Sequence, residues 1–178
     1  WGMFSLRLPP MVPPRSPEED RYVLLDSLKR LDNIAGSTGT AIFLEPLNRY
    51  EDHMINTLET AKQLICDGGF KNVKITADFF HMNIEEKSIP DAIRSAKGKI
   101  FDFHACANDR GTPGEDHFNW EEIRKALEDA EYNGPVVIES FTPRIKEIAK
   151  AVSLWRPLAE SPDSLARNGL HFLRSVFG

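Results

Sequence analysis

Four residues able to bind a divalent cation each close a short apolar run. Glu45 follows "AIFL", Asp78 follows "VKITA", His104 follows "KIFDF" and Glu139 follows "PVVI". An acid after one strand is ordinarily the first residue of a loop. Four such endings in succession, all of metal-ligating type, call for a shared reason. If the runs are parallel strands, their C-terminal ends lie at one face, and three carboxylates and one imidazole converge there. Packed carboxylates repel one another, and a divalent cation removes the repulsion. Oxygen donors with one nitrogen and no thiolate suit manganese, magnesium or cobalt, and zinc also fits.

Three further polar residues follow these ends closely: Glu51 six after Glu45, His81 three after Asp78, and Arg110 six after His104. Their spacing puts them on loops above the metal, where a polar substrate is held. His53, His117 and His171 have no such placement and are expected to be surface or loop residues. Cys106 lies near the site with nothing to activate it as a nucleophile. The pairs Glu85-Glu86 and Glu121-Glu122 are expected to be solvated faces or charges at helix N-termini.

The elements that must position these residues alternate along the chain. Ser16, Pro17 and Glu19 form a helix start with a capping box. Val23, Leu24, Leu28, Leu31 and Ile34 then recur at helical spacing up to Gly36 and Gly39. Asn56 and Glu59 suggest a second box before "TLETAKQLICD", which Gly68-Gly69 stops. A short helix is expected around "IPDAIRSA", a helix over "WEEIRKALEDAEY" after Asn119 up to Gly134, and another near Ile145 to Trp155. A final helix spans about Asp163 to Phe177. Strands alternating with helices predict an α/β fold with one parallel sheet, covered on both faces where strands are as apolar as "PVVI". The opening "WGMFSLRLPPMVPPR" has neither helical nor strand periodicity and is expected to be a loop.

Composition narrows the function. The chain has 178 residues, enough for one sizeable core, and 41% hydrophobic with 28% charged residues is an ordinary globular balance. A net charge of -5 argues against a nucleic-acid backbone or anionic membrane as the main partner. No apolar run approaches a membrane span. Two cysteines without a CxxC pair predict reduced thiols and a cytoplasmic setting.

The segments "LEPLNRYE", "DFFHMNIEE", "HACANDRGTPG" and "VVIESF", with the tail "LWRPLAESPDSLARNGLHFLR", resemble the D-tagatose 3-epimerase and D-psicose (allulose) 3-epimerase family, within the xylose-isomerase-like barrels. The resemblance implies a (β/α)8 TIM-barrel fold, here about its C-terminal four β/α units in a single domain over 1–178 that lacks the N-terminal half. It implies metal ligands Glu45, Asp78, His104 and Glu139, with Mn2+ as the expected ion and Co2+ or Mg2+ as the others. It places the two catalytic carboxylates at Glu45 and Glu139 and substrate contacts at Glu51, His81 and Arg110. The implied reaction inverts C3 of a free ketohexose by deprotonation and reprotonation through a metal-stabilised enediolate. Cys106 and Ala107 stand where the family carries more polar residues, which bears on substrate preference.

Two other readings remain at this point. One is a related sugar isomerase of the hydroxypyruvate isomerase type, and the other a non-catalytic truncated remnant that binds metal and self-associates. Five histidines in an acidic chain speak against the multi-zinc endonuclease branch. Half a barrel exposes sheet edges and an apolar inner face, so a homo-oligomer is expected.

Overall fold

Residues 15–178 are described by a computed structural model. All of the predicted opening loop except Arg15 lies outside the described residues. Helix α1, Pro17–Thr38, begins on the expected capping box: Ser16 Oγ accepts the Glu19 N–H and the Glu19 carboxylate accepts the Ser16 N–H. Gly39, at φ 68°, ends it in the left-handed conformation glycine tolerates best. Gly36 does not stop the helix. A Cβ there would meet the Asn72 side chain at 3.0 Å, so this glycine serves close approach instead.

Four strands follow: β1 (Ile42–Leu44), β2 (Val73–Asp78), β3 (Ile100–Ala105) and β4 (Val136–Ile138). They form one parallel sheet in the order β1-β2-β3-β4, as the alternation predicts. The crossovers are α2 (Leu58–Gly68), α3 (Phe79–Glu85), α4 (Ile89–Ser95) and α5 (Trp120–Asp129). Helices α6 (Lys146–Ala151) and α7 (Pro162–Phe177) complete the chain.

Three local expectations change. Helix α2 is capped by Thr57, whose side chain accepts from Thr60 N–H. Asn56 instead donates to the carbonyls of Leu47 and Asp52 and closes the preceding loop. His81, expected on a loop, stands in helix α3, which follows β2 without a break because Asp78 is both the last strand residue and the helix N-cap. Helix α6 covers only six of the residues expected between Ile145 and Trp155.

The core lies on one side of the sheet. Leu44, Val73, Ile75, Ala77, Phe103 and Ala105 pack against Leu64, Ile65, Ile93, Ile123 and Leu173 of the helices. Phe79 stacks on Phe103 at 5.4 Å and meets the edge of Trp120 at 5.3 Å. On the opposite face, the Phe43 and Phe101 rings meet at 5.0 Å across β2. Phe101 is 49% exposed and Val137 43% exposed there, so that face is not covered as the apolar strands led one to expect.

The pairing of β2 with β3 contains a register shift. Ile75 pairs with Ile100, but Thr76 pairs with Asp102, which leaves Phe101 unpaired. One extra residue in a strand reverses which side every later side chain faces. Ile100 is on the core side, so unshifted pairing would turn His104 toward the helices. The bulge brings His104 opposite Asp78, on the other face.

Candidate metal centre

Each strand delivers one ligand at its C-terminal end. Glu45 and Glu139 lie one residue beyond β1 and β4, while Asp78 and His104 lie within β2 and β3. One ligand atom from each of the four lies within 4.8 Å of the others. His104 Nδ1 is the hub, 3.5 Å from Glu45 Oε1, Asp78 Oδ2 and Glu139 Oε1. That is ion-pair distance and too long for a hydrogen bond, and His104 Nδ1 is buried with no hydrogen-bond partner. A cation among the four atoms satisfies this nitrogen and the three oxygens together, so the donor set fits a divalent metal.

Electrostatics follow from that crowding. Burial disfavours a charged His104, but the facing Asp78 and Glu45 carboxylates outweigh it and push the imidazole up to about 9. For Asp78, burial works against its charge. His104, Arg110 and His81 outweigh burial and hold the carboxyl below the usual range. Burial lowers His81, with Asp78 acting in the opposite direction. Burial pushes the Cys106 thiol well above its ordinary value, so it stays protonated and unreactive.

Asp78 divides its two oxygens between structure and site. Oδ1 accepts the N–H groups of Phe80 (2.8 Å) and His81 (3.2 Å), which starts α3 and sets His81 over the cluster. Oδ2 faces His104 and Arg110. Arg110 stands in a turn closed by its N–H to Ala107 O (2.9 Å), at φ 72°. That conformation costs a non-glycine residue about 1–2 kcal/mol. It swings the guanidinium back over the cluster, where NH1 donates to Asp78 Oδ2 (2.7 Å) and to Glu139 Oε2. Phe80 and Phe141 flank it at 4.6 and 5.4 Å, within cation–π range. NH2 lies 2.9 Å from His81 Nε2.

All seven residues singled out in the sequence therefore occupy one neighbourhood, with Glu51 joined through Asn48, whose Nδ2 donates to Glu51 Oε1 (3.1 Å). Two buried contributors escaped the sequence reading. Asn48 bonds both His81 and Glu51. Asp102 is 3% exposed with Oδ1 unpartnered and Oδ2 3.5 Å from His104 Nε2. Its one signal was an acid two residues before a candidate ligand, on the same face of a strand.

The Glu85-Glu86 pair corrects an expectation at Glu85, whose side chain is buried, and meets it at Glu86, which stands at the N-terminus of α2. Glu85 accepts from the backbone N–H, Nε and NH2 of Arg49, and Glu86 accepts from Leu58 N–H. They anchor the loop that carries Glu51 and the start of α2. Glu121 and Glu122 do sit in the first turn of α5, and both are exposed. His117 bonds Asn83 and His171 is exposed, as expected, while His53 ties its loop to Asp20 at 2.9 Å.

Comparison with known proteins agrees with this fold. The family described as "Xylose isomerase-like TIM barrel" matches residues 3–176. The chain is 40% identical over 175 residues to the 3-dehydro-D-guloside 4-epimerase of Escherichia coli, covering 98% of this chain and 61% of that protein. It is 43% identical over 134 residues to a probable ketose 3-epimerase of Synechocystis, covering 75% and 47%. Among solved structures, D-psicose 3-epimerase with D-tagatose from Clostridium cellulolyticum superposes with a TM-score of 0.86 at 32% identity, covering 94% of this chain and 60% of that one. The chain thus spans about half to three-fifths of the length of these relatives.

Proposed function

The chain belongs to the xylose isomerase-like TIM barrel family, and on that footing we propose that its site serves a metal-dependent sugar epimerase inverting C3 of free ketohexoses. One observation carries the reading: a buried, unpartnered His104 Nδ1 equidistant from three carboxylates at the strand ends. The relatives' names support it, since each is an epimerase.

Glu45, Asp78, His104 and Glu139 would hold the metal. When bound, a divalent cation polarises the sugar's carbonyl and offsets the charge that develops on its oxygen. The protein's own residues then handle the proton. A hydrogen α to a ketone is weakly acidic, so its removal needs a positioned base, and inversion needs a second group on the other face of the planar carbon. Glu45 and Glu139 come from the two outer strands of the sheet and approach from different directions. One carboxylate takes the proton from C3 and the other returns one, with roles exchanged in reverse. Arg110, His81 and Glu51 bind the sugar's oxygens and keep C3 in line.

A second reading is favoured by the relative at 40% identity, whose name places a ketone at C3 and inversion at C4. There too the inverted carbon adjoins a carbonyl, so the same two carboxylates suffice. Manganese is our choice of ion, with cobalt or magnesium next. Two free thiols support a cytoplasmic setting, and no helix among the described residues is long and apolar enough to cross a membrane. The half-exposed Phe101 and Val137 support self-association.

The test is turnover of D-fructose, D-psicose and a 3-keto-glucoside with and without added Mn2+. Metal-dependent conversion of a ketohexose that Glu139→Gln abolishes supports the first reading; conversion of the keto-glucoside alone supports the second. Tight metal binding without turnover of any of them defeats both.

A further inference from the structure

Asn48 is 1% exposed, and four of its hydrogen bonds together decide the state of a neighbouring ring. Its backbone N–H donates to His81 Nδ1 at 3.0 Å. Its side-chain Nδ2 lies 2.9 Å from the same Nδ1 and 3.1 Å from Glu51 Oε1. Its Oδ1 accepts the Tyr50 N–H at 3.0 Å. That last bond settles which end of the amide is which, so the NH2 group faces the ring. A backbone N–H is always a donor. An Nδ1 carrying a proton would confront two donors, whereas an Nδ1 carrying a lone pair accepts from both.

We propose that Asn48 is a positioning residue that holds His81 in the tautomer with its proton on Nε2. The contact that His81 makes with a sugar rests on the epimerase reading; the tautomer does not. On its far side, Nε2 lies 2.9 Å from Arg110 NH2 and 3.9 Å from Glu45 Oε1. With the proton on Nε2, the ring faces a guanidinium that also can only donate, so their 2.9 Å contact gives way unless an acceptor comes between them. Arg110 has the longer and more adjustable side chain, so it yields more readily than a ring pinned from behind by a backbone group. An oxygen lone pair satisfies both donors; a hydroxyl hydrogen satisfies neither. The pair therefore selects a ligand oxygen acting as acceptor. The same Asn48 amide holds Glu51 by one oxygen, so donor and acceptor sides of the sugar site are set by one buried side chain.

The test is a two-bond 1H–15N correlation spectrum of the full chain with 15N-labelled histidine, the His81 signals being identified by their loss in His81→Gln. We expect a pyridine-type shift at Nδ1 and a pyrrole-type shift at Nε2. Asn48→Asp, which puts an anionic oxygen where the NH2 group stands, draws a proton to Nδ1 and removes the pyridine-type signal. A pyrrole-type Nδ1 in the unaltered chain overturns the proposal, as does an Asn48→Asp spectrum with Nδ1 unchanged. If Asn48→Asp does not fold, the spectrum of the unaltered chain still decides. Absence of ketose turnover alongside the expected spectrum would sink the epimerase reading and leave the tautomer standing.

Discussion

Arg110 NH1 lies 2.7 Å from Asp78 Oδ2, an oxygen that also faces His104 Nδ1, the hub of the four-residue cluster. A guanidinium thus shares a carboxylate with the site proposed for the metal. The charges then balance: three carboxylates, one dication and one guanidinium sum to zero. Arg110→Met removes a competing cation and a sugar contact at once. We expect metal affinity, read by calorimetry, to hold or rise, while kcat/KM for the sugar falls by at least about 100-fold through lost alignment. A fall in metal affinity would show that Arg110 serves mainly to hold Asp78 in place.

Metal binding should release a proton. His104 is pushed up to about 9, so near neutral pH it carries the proton that a metal must displace from Nδ1. Affinity is expected to rise about tenfold per pH unit until that pH is reached. Calorimetry in two buffers of different ionisation enthalpy measures the released proton directly. Without metal the sign for stability is opposite. A raised folded pKa means that charged His104 stabilises the fold fully below the ordinary value of about 6.5, and the contribution is lost as pH climbs through about 9. Thermal melts of the metal-free chain should fall across that window, and less so in His104→Gln.

Asp102 faces the far nitrogen of His104 at 3.5 Å with its other oxygen unpartnered. Carboxylates behind ligating histidines orient the ring and raise its basicity, and losing one costs roughly 10–100-fold in metal affinity. Asp102→Asn should show a loss of that size with an unchanged far-ultraviolet dichroism spectrum. An unaltered affinity would mean that the carboxylate has no hold on the ring.

The exposed pair Phe101 and Val137 should govern self-association. Phe101→Asp with Val137→Asp is expected to shift the chain toward monomer in native mass spectrometry, because two charges on an apolar face oppose its burial. A monomer already in the unaltered chain would remove this face as an interface.

Phe79 is fully buried between Phe103 and Trp120, directly after Asp78. Phe79→Ala should cost about 3–5 kcal/mol in urea unfolding. Because Asp78 caps the helix that Phe79 begins, the same change should also weaken metal binding. A loss of stability with unchanged metal affinity would separate core from site.

Local chemistry is legible in a sequence because it depends on neighbours in the chain. Apolar runs closed by glycines and capping residues announced four strands and most helices, and the residues closing those runs announced the cluster at Glu45, Asp78, His104 and Glu139. Long-range relations were not legible. Asn48 bonds a ring 33 positions away, Asp78 pairs with Arg110 32 positions on, and Glu85 reaches back 36 positions to Arg49. No periodicity encodes such pairs, because they arise only when separate strands are laid side by side. The orientation of His104 is the sharpest case. One unpaired residue at Phe101 turns the end of β3 over, and alternation along β3 alone is compatible with either face. The types of the four clustered residues were written in the chain; that they point at one another was decided by how β2 and β3 pair.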